Sequence, residues 1–589
     1  LTRVEDETVT AATGSRKAQP SITEGDLTTV AELLVDYLRQ LEVEYVFGVP
    51  GGAIEPFYSA LARSARRNGP RPVLARHETG AAFMADGYAQ ATGRLGVCCA
   101  TSGPGATNLI TGIASAFMSR APVLAVTAQS VLRRFGSGAF QESSCDGVNS
   151  VGIFQHCTRY NTLVSHPDQA ANKFYAALDT VVRNRAGPVH LSVPVDVFNA
   201  PVDPSAFRID VSRLTAPAGR VDALACEQLC ALLGDAKHPL MVMGGGCGRA
   251  APAIVKLAER VGAPIITTPK GKGAADPYHP LFCGVVGVAG HDVASRMLND
   301  SRVDLILVAG ASLSEWDVAG EDDDALWRAK VVHIDSVTEH FRRSPLARLH
   351  VGGDLEHIFA VLSRRLPTRD GDWRQQKNSR SCVSFALHLE PAKSEAENGL
   401  VDPRRLMAAL AQRCPEKTLF LPDVGNSFIW ATHYLHPRGA GRCRVEMEYA
   451  AMGWAIGAAV GAAMARRGQP VVCITGDGSM LMNGQEITVA QQEGLSVLFV
   501  VLNDAALGMV RHGQRLRGAE AVAFALPPVD FAAFARSLGV RARRIATGAE
   551  LEALDLNEFC SGDGPALLDV LVDPEQEPPM RRRIASLEN

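Results

Sequence analysis

Three side chains in this 589-residue chain have the type and spacing to do chemistry. Asp477 lies in Gly476-Asp477-Gly478-Ser479, just after the apolar run Val471 to Thr475, and Asn503 ends a second apolar run, Leu498 to Leu502. Short runs rich in β-branched residues read as buried parallel strands, and an α/β sheet offers ligands at the C-terminal ends of its strands. A carboxylate and an amide oxygen delivered side by side suit one hard cation, while Gly476 and Gly478 let backbone N–H groups approach a phosphate. Met482 to Gln491 reads as a helix whose N-terminus faces the same charge. Gly-Asp-Gly by itself reads first as an ordinary turn; the second strand, ending in Asn503, reverses that in favour of the ion-binding reading. The third side chain is Glu78, between the short run Val73-Leu74 and a small-residue stretch through Ala89. Its spacing is that of a helix-start acid, and a place between strand and helix would also leave the carboxylate largely desolvated.

The elements that must position these groups recur along the chain. Tyr45 to Val49 reads as a strand opening onto Gly51-Gly52, and Gly96 to Ala100 as a strand opening onto Thr101-Ser102-Gly103-Pro104-Gly105-Ala106-Thr107-Asn108. Pro122 to Gln129 precedes the flexible stretch Gly136 to Glu142, and Ala186 to Asp196 closes the set. Pro239 to Gly246, Pro264 to Thr268, Val303 to Val308 and Lys330 to Ile334 repeat the pattern, as does Thr418 to Pro422 before Asp423-Val424-Gly425-Asn426-Ser427. Strands alternating with helical patterns predict an α/β protein of three doubly wound domains with mainly parallel sheets. The expected boundaries are a disordered polar leader at 1–26, domains at 27–210 and 215–366, a linker at 367–399, a third domain at 400–575, and a tail at 576–589. Gly244-Gly245-Gly246 lacks the dinucleotide fingerprint and reads as a tight turn, and Met452 on numbers alone is a core filler.

Composition excludes several classes. With 47% hydrophobic residues, 21% charged residues and a net charge of −4, the chain reads as a globular protein without the basic excess of a nucleic-acid binder. The longest apolar stretch, Ala450 to Met464, is too short to span a bilayer. Thirteen scattered cysteines, several in apolar strands such as Cys98, Cys99 and Cys473, predict reduced thiols and a cytoplasmic location. Cys226 and Cys230 have no further ligands at metal spacing and read as structural.

From about Thr28 to Asp573 the chain resembles the thiamine-diphosphate-dependent 2-oxo acid decarboxylase and carboligase family, in the branch of the acetohydroxyacid (acetolactate) synthases. The resemblance is carried by Val46-Phe47-Gly48-Val49-Pro50-Gly51-Gly52-Ala53, the string from Arg76-His77-Glu78 to Ala89, Thr101 to Asn108, Ala139-Phe140-Gln141-Glu142, Asp423-Val424-Gly425, the Gly-Asp-Gly and Asn503 pair, and Leu507-Gly508-Met509-Val510. It implies pyrimidine, middle and diphosphate domains in that order, with thiamine diphosphate and Mg2+ as cofactors. Asp477, Asn503 and the backbone oxygen of Ala505 are then the metal ligands. Gly476, Gly478 and Ser479, with Val424, Gly425, Asn426, Ser427, Leu507, Gly508 and Met509, hold the cofactor, Pro104 and Asn108 pack on it, and Met452 wedges between its two rings. Glu78 becomes the acid that activates the aminopyrimidine. Backbone N–H groups at Gly51 and Gly52, with Gln141, stabilise a developing alkoxide, and Phe140 and Met509 shape the acceptor pocket.

The implied reaction is decarboxylation of a 2-oxo acid, pyruvate first, and carboligation to a second carbonyl compound. One subunit's Glu78 domain faces another's diphosphate domain, which implies a homodimer or homotetramer. Alternatives are a non-oxidative decarboxylase, with His291 or His512 as proton donor, and an acyloin synthase with a different acceptor. Departures from the synthase pattern are Val195 for a lysine, Gly513 for a tryptophan, which predicts a more open site, and Ser312-Leu313-Ser314-Glu315-Trp316-Asp317 for an arginine-rich flavin segment. With the charges of Lys270 and Lys272, these make FAD a doubtful cofactor.

Overall fold

A computed structural model describes residues 29–183, 187–215, 221–318, 330–366, 399–581 and 584. The expected leader, nearly all of the expected linker and most of the tail beyond 581 lie outside the described residues. The first sheet contains β1 (Tyr45–Val49), β2 (Arg71–Leu74), β3 (Gly96–Ala100), β4 (Val123–Gln129), β5 (Tyr160–Leu163) and β6 (Val189–Pro194), in the order β2-β1-β3-β4-β6-β5. The middle sheet contains β7 (Pro239–Met243), β8 (Ile265–Thr267), β9 (Phe282–Val285), β10 (Leu305–Ala309), β11 (Val331–Asp335) and β12 (Leu349–Gly352), in the order β12-β11-β10-β7-β8-β9. The third contains β13 (Leu419–Pro422), β14 (Val471–Gly476), β15 (Val497–Asn503), β16 (Arg541–Ile545) and β17 (Ala566–Leu571), in the order β13-β14-β15-β17-β16.

Every pairing between these strands is parallel. The central strands are buried on both faces, which is why they read as unbroken apolar runs. In the first sheet the order reverses beside β1, leaving a crevice at the strands' C-terminal ends where loops can converge on a ligand, whereas in the third the order runs β13-β14-β15 from one edge and β17 lies between β15 and β16.

The first and third domains share one core. The helix Glu78–Thr92 lies along Trp454–Ala465, and both are rich in alanine and glycine. A Cβ at Gly87 would collide with the backbone of Ala458, and one at Gly461 with the Met84 carbonyl, so the glycines set the close approach of the two helices. Trp454 Nε1 donates to Asp86 Oδ2 at 2.7 Å across this contact. Burial raises the Asp86 carboxyl to about 6, against the stabilising hydrogen bonds from Gln90 and Trp454.

The glycine run after β7 is a tight turn, as its sequence suggests. Gly246 N donates to the Gly310 carbonyl at 2.8 Å, and a Cβ at Gly244 would strike Gly310 and Ala311, so the bare backbone serves packing against the turn after β10. Among the described cysteines none is in a disulfide, and Cys226 is buried in its helix. No helix among the described residues is long and apolar enough to cross a membrane.

Candidate active site

β14 ends at Gly476 and passes directly into the helix Asp477–Asn483. The helix expected from Met482 therefore starts five residues earlier and breaks at Gly484 before Ile487–Gln492. Its start places Asp477 at the sheet edge, where Oδ1 accepts the Gly478 N–H at 2.7 Å and Oδ2 the Ala506 N–H at 3.1 Å. Burial raises the Asp477 carboxyl to about 6 despite these bonds. Asp504 is raised to about 7, chiefly by burial and next by the neighbouring charge of Asp477. Two carboxyls held this close in a poorly hydrated cleft favour a cation between them.

Around them is a single cavity, lined by Val424 to Ser427, Met452, Gly476 to Ser479 and Leu507 to Met509, all expected cofactor contacts. A Cβ at Gly425, whose φ is +102°, or at Gly476 would meet nothing within 4 Å, so both backbones face open space. At Gly478 a Cβ would press on Leu507 and lie 3.2 Å from Met452 Cε, which explains why only glycine brings this backbone to the cavity wall. The floor is rigid: Asp423 accepts the N–H groups of Gly453 at 2.9 Å and Ala455 at 3.2 Å and the Thr475 hydroxyl at 2.9 Å, and Ser427 Oγ donates to the Asp423 carbonyl at 3.1 Å.

Two expected metal ligands do not reach this cavity. Asn503 is the last residue of β15 and turns its side chain the other way, donating to Asp569 Oδ1 at 2.8 Å and to the Val529 carbonyl at 3.0 Å. Ala505, at φ +52°, has its carbonyl taken by the Leu526 N–H at 2.8 Å. Asp504 and Ala506, each one residue further on, line the cavity in their place. Successive side chains at a strand end leave on opposite faces, so a register slip of one residue exchanges the ligand for a core amide.

The first domain assembles a second group of residues. Glu78 is the first residue of its helix, only 8% exposed, and its Oε2 accepts the Asn108 amide at 2.9 Å. His77 caps the helix through Nδ1, which accepts the Thr79 N–H at 3.1 Å. Gly105, in the Pro104–Asn108 turn of helix, leaves room beside the carboxylate: a Cβ there would sit 3.4 Å from Glu78 Oε1. Gly51 lies against Thr101, while Gly52 faces open space. Gln141, at φ +53°, packs on Gly103, and Phe140 beside it is 87% exposed.

Within one chain these two groups stay apart: none of Glu78, Gly51, Gly52, Pro104, Asn108, Phe140 or Gln141 lines the cavity. What joins them is Glu486, absent from the sequence reading, whose carboxylate accepts the N–H groups of His77 at 2.8 Å and Arg76 at 3.1 Å. Burial raises Glu486 to about 7.

Other expectations resolve plainly. His291 is buried where the middle and third domains meet; its Nδ1 accepts the Val285 N–H at 3.1 Å and its Nε2 donates to the His433 carbonyl at 3.0 Å, so it is a structural residue. His512 does line the cavity. Gly513 is not among the residues that line it, and a Cβ at Gly513 would meet Ile584 Cδ1 at 3.9 Å, an ordinary contact. Near the expected flavin segment, Lys270 Nζ pairs with Glu448 at 3.1 Å, and Ser312 Oγ donates to Asp317 at 2.9 Å and to Glu448 at 3.1 Å.

The chain matches the three parts of the thiamine pyrophosphate enzymes in order: the N-terminal TPP binding domain over residues 28–150, the central domain over 226–362 and the C-terminal TPP binding domain over 423–570. It is 33% identical over 564 residues to an acetolactate synthase of Arthrospira platensis, covering 93% of this chain and 95% of that protein. To the acetolactate synthase isozyme 2 large subunit of Escherichia coli K12 it is 33% identical over 550 residues, 92% and 95% of the two chains. To the acetolactate synthase large subunit of Cyanidium caldarium it is 32% identical over 560 residues, 92% and 93%. With all three domains matched and relatives covered nearly end to end, the chain belongs to the thiamine pyrophosphate enzyme family, in its acetolactate synthase branch.

Proposed function

We propose that the chain decarboxylates a 2-oxo acid, with pyruvate as first donor, and joins the resulting two-carbon unit to a second carbonyl compound, using thiamine diphosphate and Mg2+. The observation that carries this is the third-domain cavity in which Asp477 and Asp504 meet beside the open backbones of Gly425 and Gly476. These residues fit the cofactor: two carboxylates with the Ala506 carbonyl suit a hard cation, and the helix start at Gly508 and the glycine backbones suit a diphosphate. When bound, thiamine diphosphate supplies a carbon nucleophile and an electron sink that no side chain provides.

The chain's own residues then divide the work. Asp477 and Asp504 hold the cation, replacing the pair Asp477 and Asn503 expected from the sequence. Met452 sets the distance between the cofactor's rings by bulk. Glu78, held through Oε2 by Asn108, moves the proton at the pyrimidine side. Backbone N–H groups at Gly51 and Gly52, with Gln141, face a developing oxyanion, and Phe140 and Met509 form apolar walls for the acceptor.

Because Glu78 and the cavity lie apart in one chain, the complete site needs a second copy. Exposed Phe140 supports this from the pyrimidine side, as do Leu481 and Met482, 49% and 54% exposed, from the diphosphate side. A homodimer is the smallest assembly, and a homotetramer repeats it. The Lys270, Glu448, Ser312 and Asp317 contacts support a reading without FAD. A cytoplasmic location accords with the unpaired thiols.

The test is to supply purified protein with pyruvate, thiamine diphosphate and Mg2+. Acetolactate with released carbon dioxide is the expected result; acetaldehyde would select a simple decarboxylase, and no carbon dioxide would overturn the proposal. Absence of flavin absorbance in the active protein is expected alongside.

A further inference from the structure

The cavity proposed for the diphosphate has an unusual charge balance. Among the described residues, Asp477, Asp504 and Asp573 line it, no lysine or arginine does, and His512 is the one basic side chain in its wall. His512 is 1% exposed, and its Nδ1 has no hydrogen-bond partner among the described residues. A buried ring nitrogen left without a partner costs free energy, so such an atom points to a group that binds there.

Its position agrees. The helix Gly508–Leu516 starts at the cavity, and His512 follows Gly508 by four residues, which places both on one helix face. Gly508 marks the crowded end of that face: a Cβ there would lie 2.5 Å from Asn426 Nδ2 and 2.7 Å from Asp504 Oδ2. His512 thus stands just over one turn beyond the helix start, about 6 Å deeper along the axis. An anion held at the helix start and carrying a second anionic group would present that group toward the imidazole.

Building on the function proposed above, we propose that His512 donates a hydrogen bond from Nδ1 to the terminal phosphoryl group of thiamine diphosphate. It is a positioning residue: it touches no reacting atom, and it makes the site prefer the diphosphate to the monophosphate of the same cofactor.

The experiment follows binding by quenching of intrinsic tryptophan fluorescence in apoprotein with Mg2+, to which Trp430 in the cavity wall contributes. Thiamine diphosphate and thiamine monophosphate are titrated into wild type, His512→Asn and His512→Leu. Asn keeps a donor near the position of Nδ1, whereas Leu fills the space without one. Expected is a loss of about tenfold to a hundredfold in diphosphate affinity for His512→Leu, with monophosphate affinity unchanged and His512→Asn close to wild type. Equal losses for both ligands in His512→Leu, or an undiminished preference for the diphosphate, would overturn the assignment. Wild-type protein that binds no thiamine diphosphate would instead sink the functional reading on which it rests.

Discussion

Asn503 and Asp504 are neighbours in sequence and opposites in space. Asn503 spends its amide on Asp569 and Val529, whereas Asp504 faces Asp477 across the cavity. Replacing Asp504 by Ala is expected to weaken Mg2+ binding by at least roughly tenfold, since losses even in the outer shell of a metal site reach that size. Asn503→Ala should leave Mg2+ affinity near wild type while lowering the melting temperature, because it strips a buried partner from Asp569. Calorimetric Mg2+ titration of both variants checks this; the reverse pattern would restore Asn503 as the ligand. At Glu78 the expectation concerns rate. Glu78→Gln keeps an acceptor for Asn108 and so folds and binds cofactor and Mg2+, but loses about 10²- to 10⁴-fold in turnover for want of a proton relay. Near-wild-type turnover of pyruvate by that variant would remove Glu78 from its role.

The helix Glu78–Thr92 is an element fixed at its start and its middle by the third domain: Glu486 clamps the turn that leads into it, and Trp454 bonds Asp86 near its centre. That clamp predicts a pH dependence. Burial raises Glu486 to about 7 in the folded chain, above an ordinary glutamate, so between those values the native protein holds a proton that the unfolded chain has released. Stability from this group is therefore full at acid pH and is lost as pH rises through about 7. Melting temperature of the apoprotein should fall on the order of a few degrees from pH 5 to pH 8, and Glu486→Gln, which keeps one of the two acceptor oxygens and removes the proton exchange, should lower the melting temperature overall and flatten that slope. A wild-type slope that survives in the variant would assign the linkage to other buried acids, Asp86 among them.

At the scale of the whole molecule, a site split between chains makes a prediction that no single-chain site shares. Glu78→Gln and Asp477→Ala chains, each inactive alone, should recover roughly a quarter of wild-type activity when co-expressed, because half of the dimers are mixed and each mixed dimer holds one intact site. No recovery in isolated mixed dimers would place the complete site within one chain. Much of this protein was legible from its residues in order. Buried parallel strands announce themselves as apolar runs, so β1, β3, β4, β10, β14 and β15 were foreseeable within a residue or two, and with them the three α/β domains and the loops that carry Asp477, Gly425 and Glu78. Edge strand β16 was not, since Arg541 to Ile545 is largely exposed and has no apolar pattern to read. Three things waited for the tertiary structure. Which of Asn503 and Asp504 faces the cavity depends on the register of β15 against β17, Gly513 lies beside Ile584 from 71 positions away in the chain, and Glu486 reaches back to the turn before Glu78. Local pattern encodes periodicity and backbone freedom, which neighbouring residues determine between them; the direction of a side chain and the identity of its partner are set by packing between segments far apart in the chain.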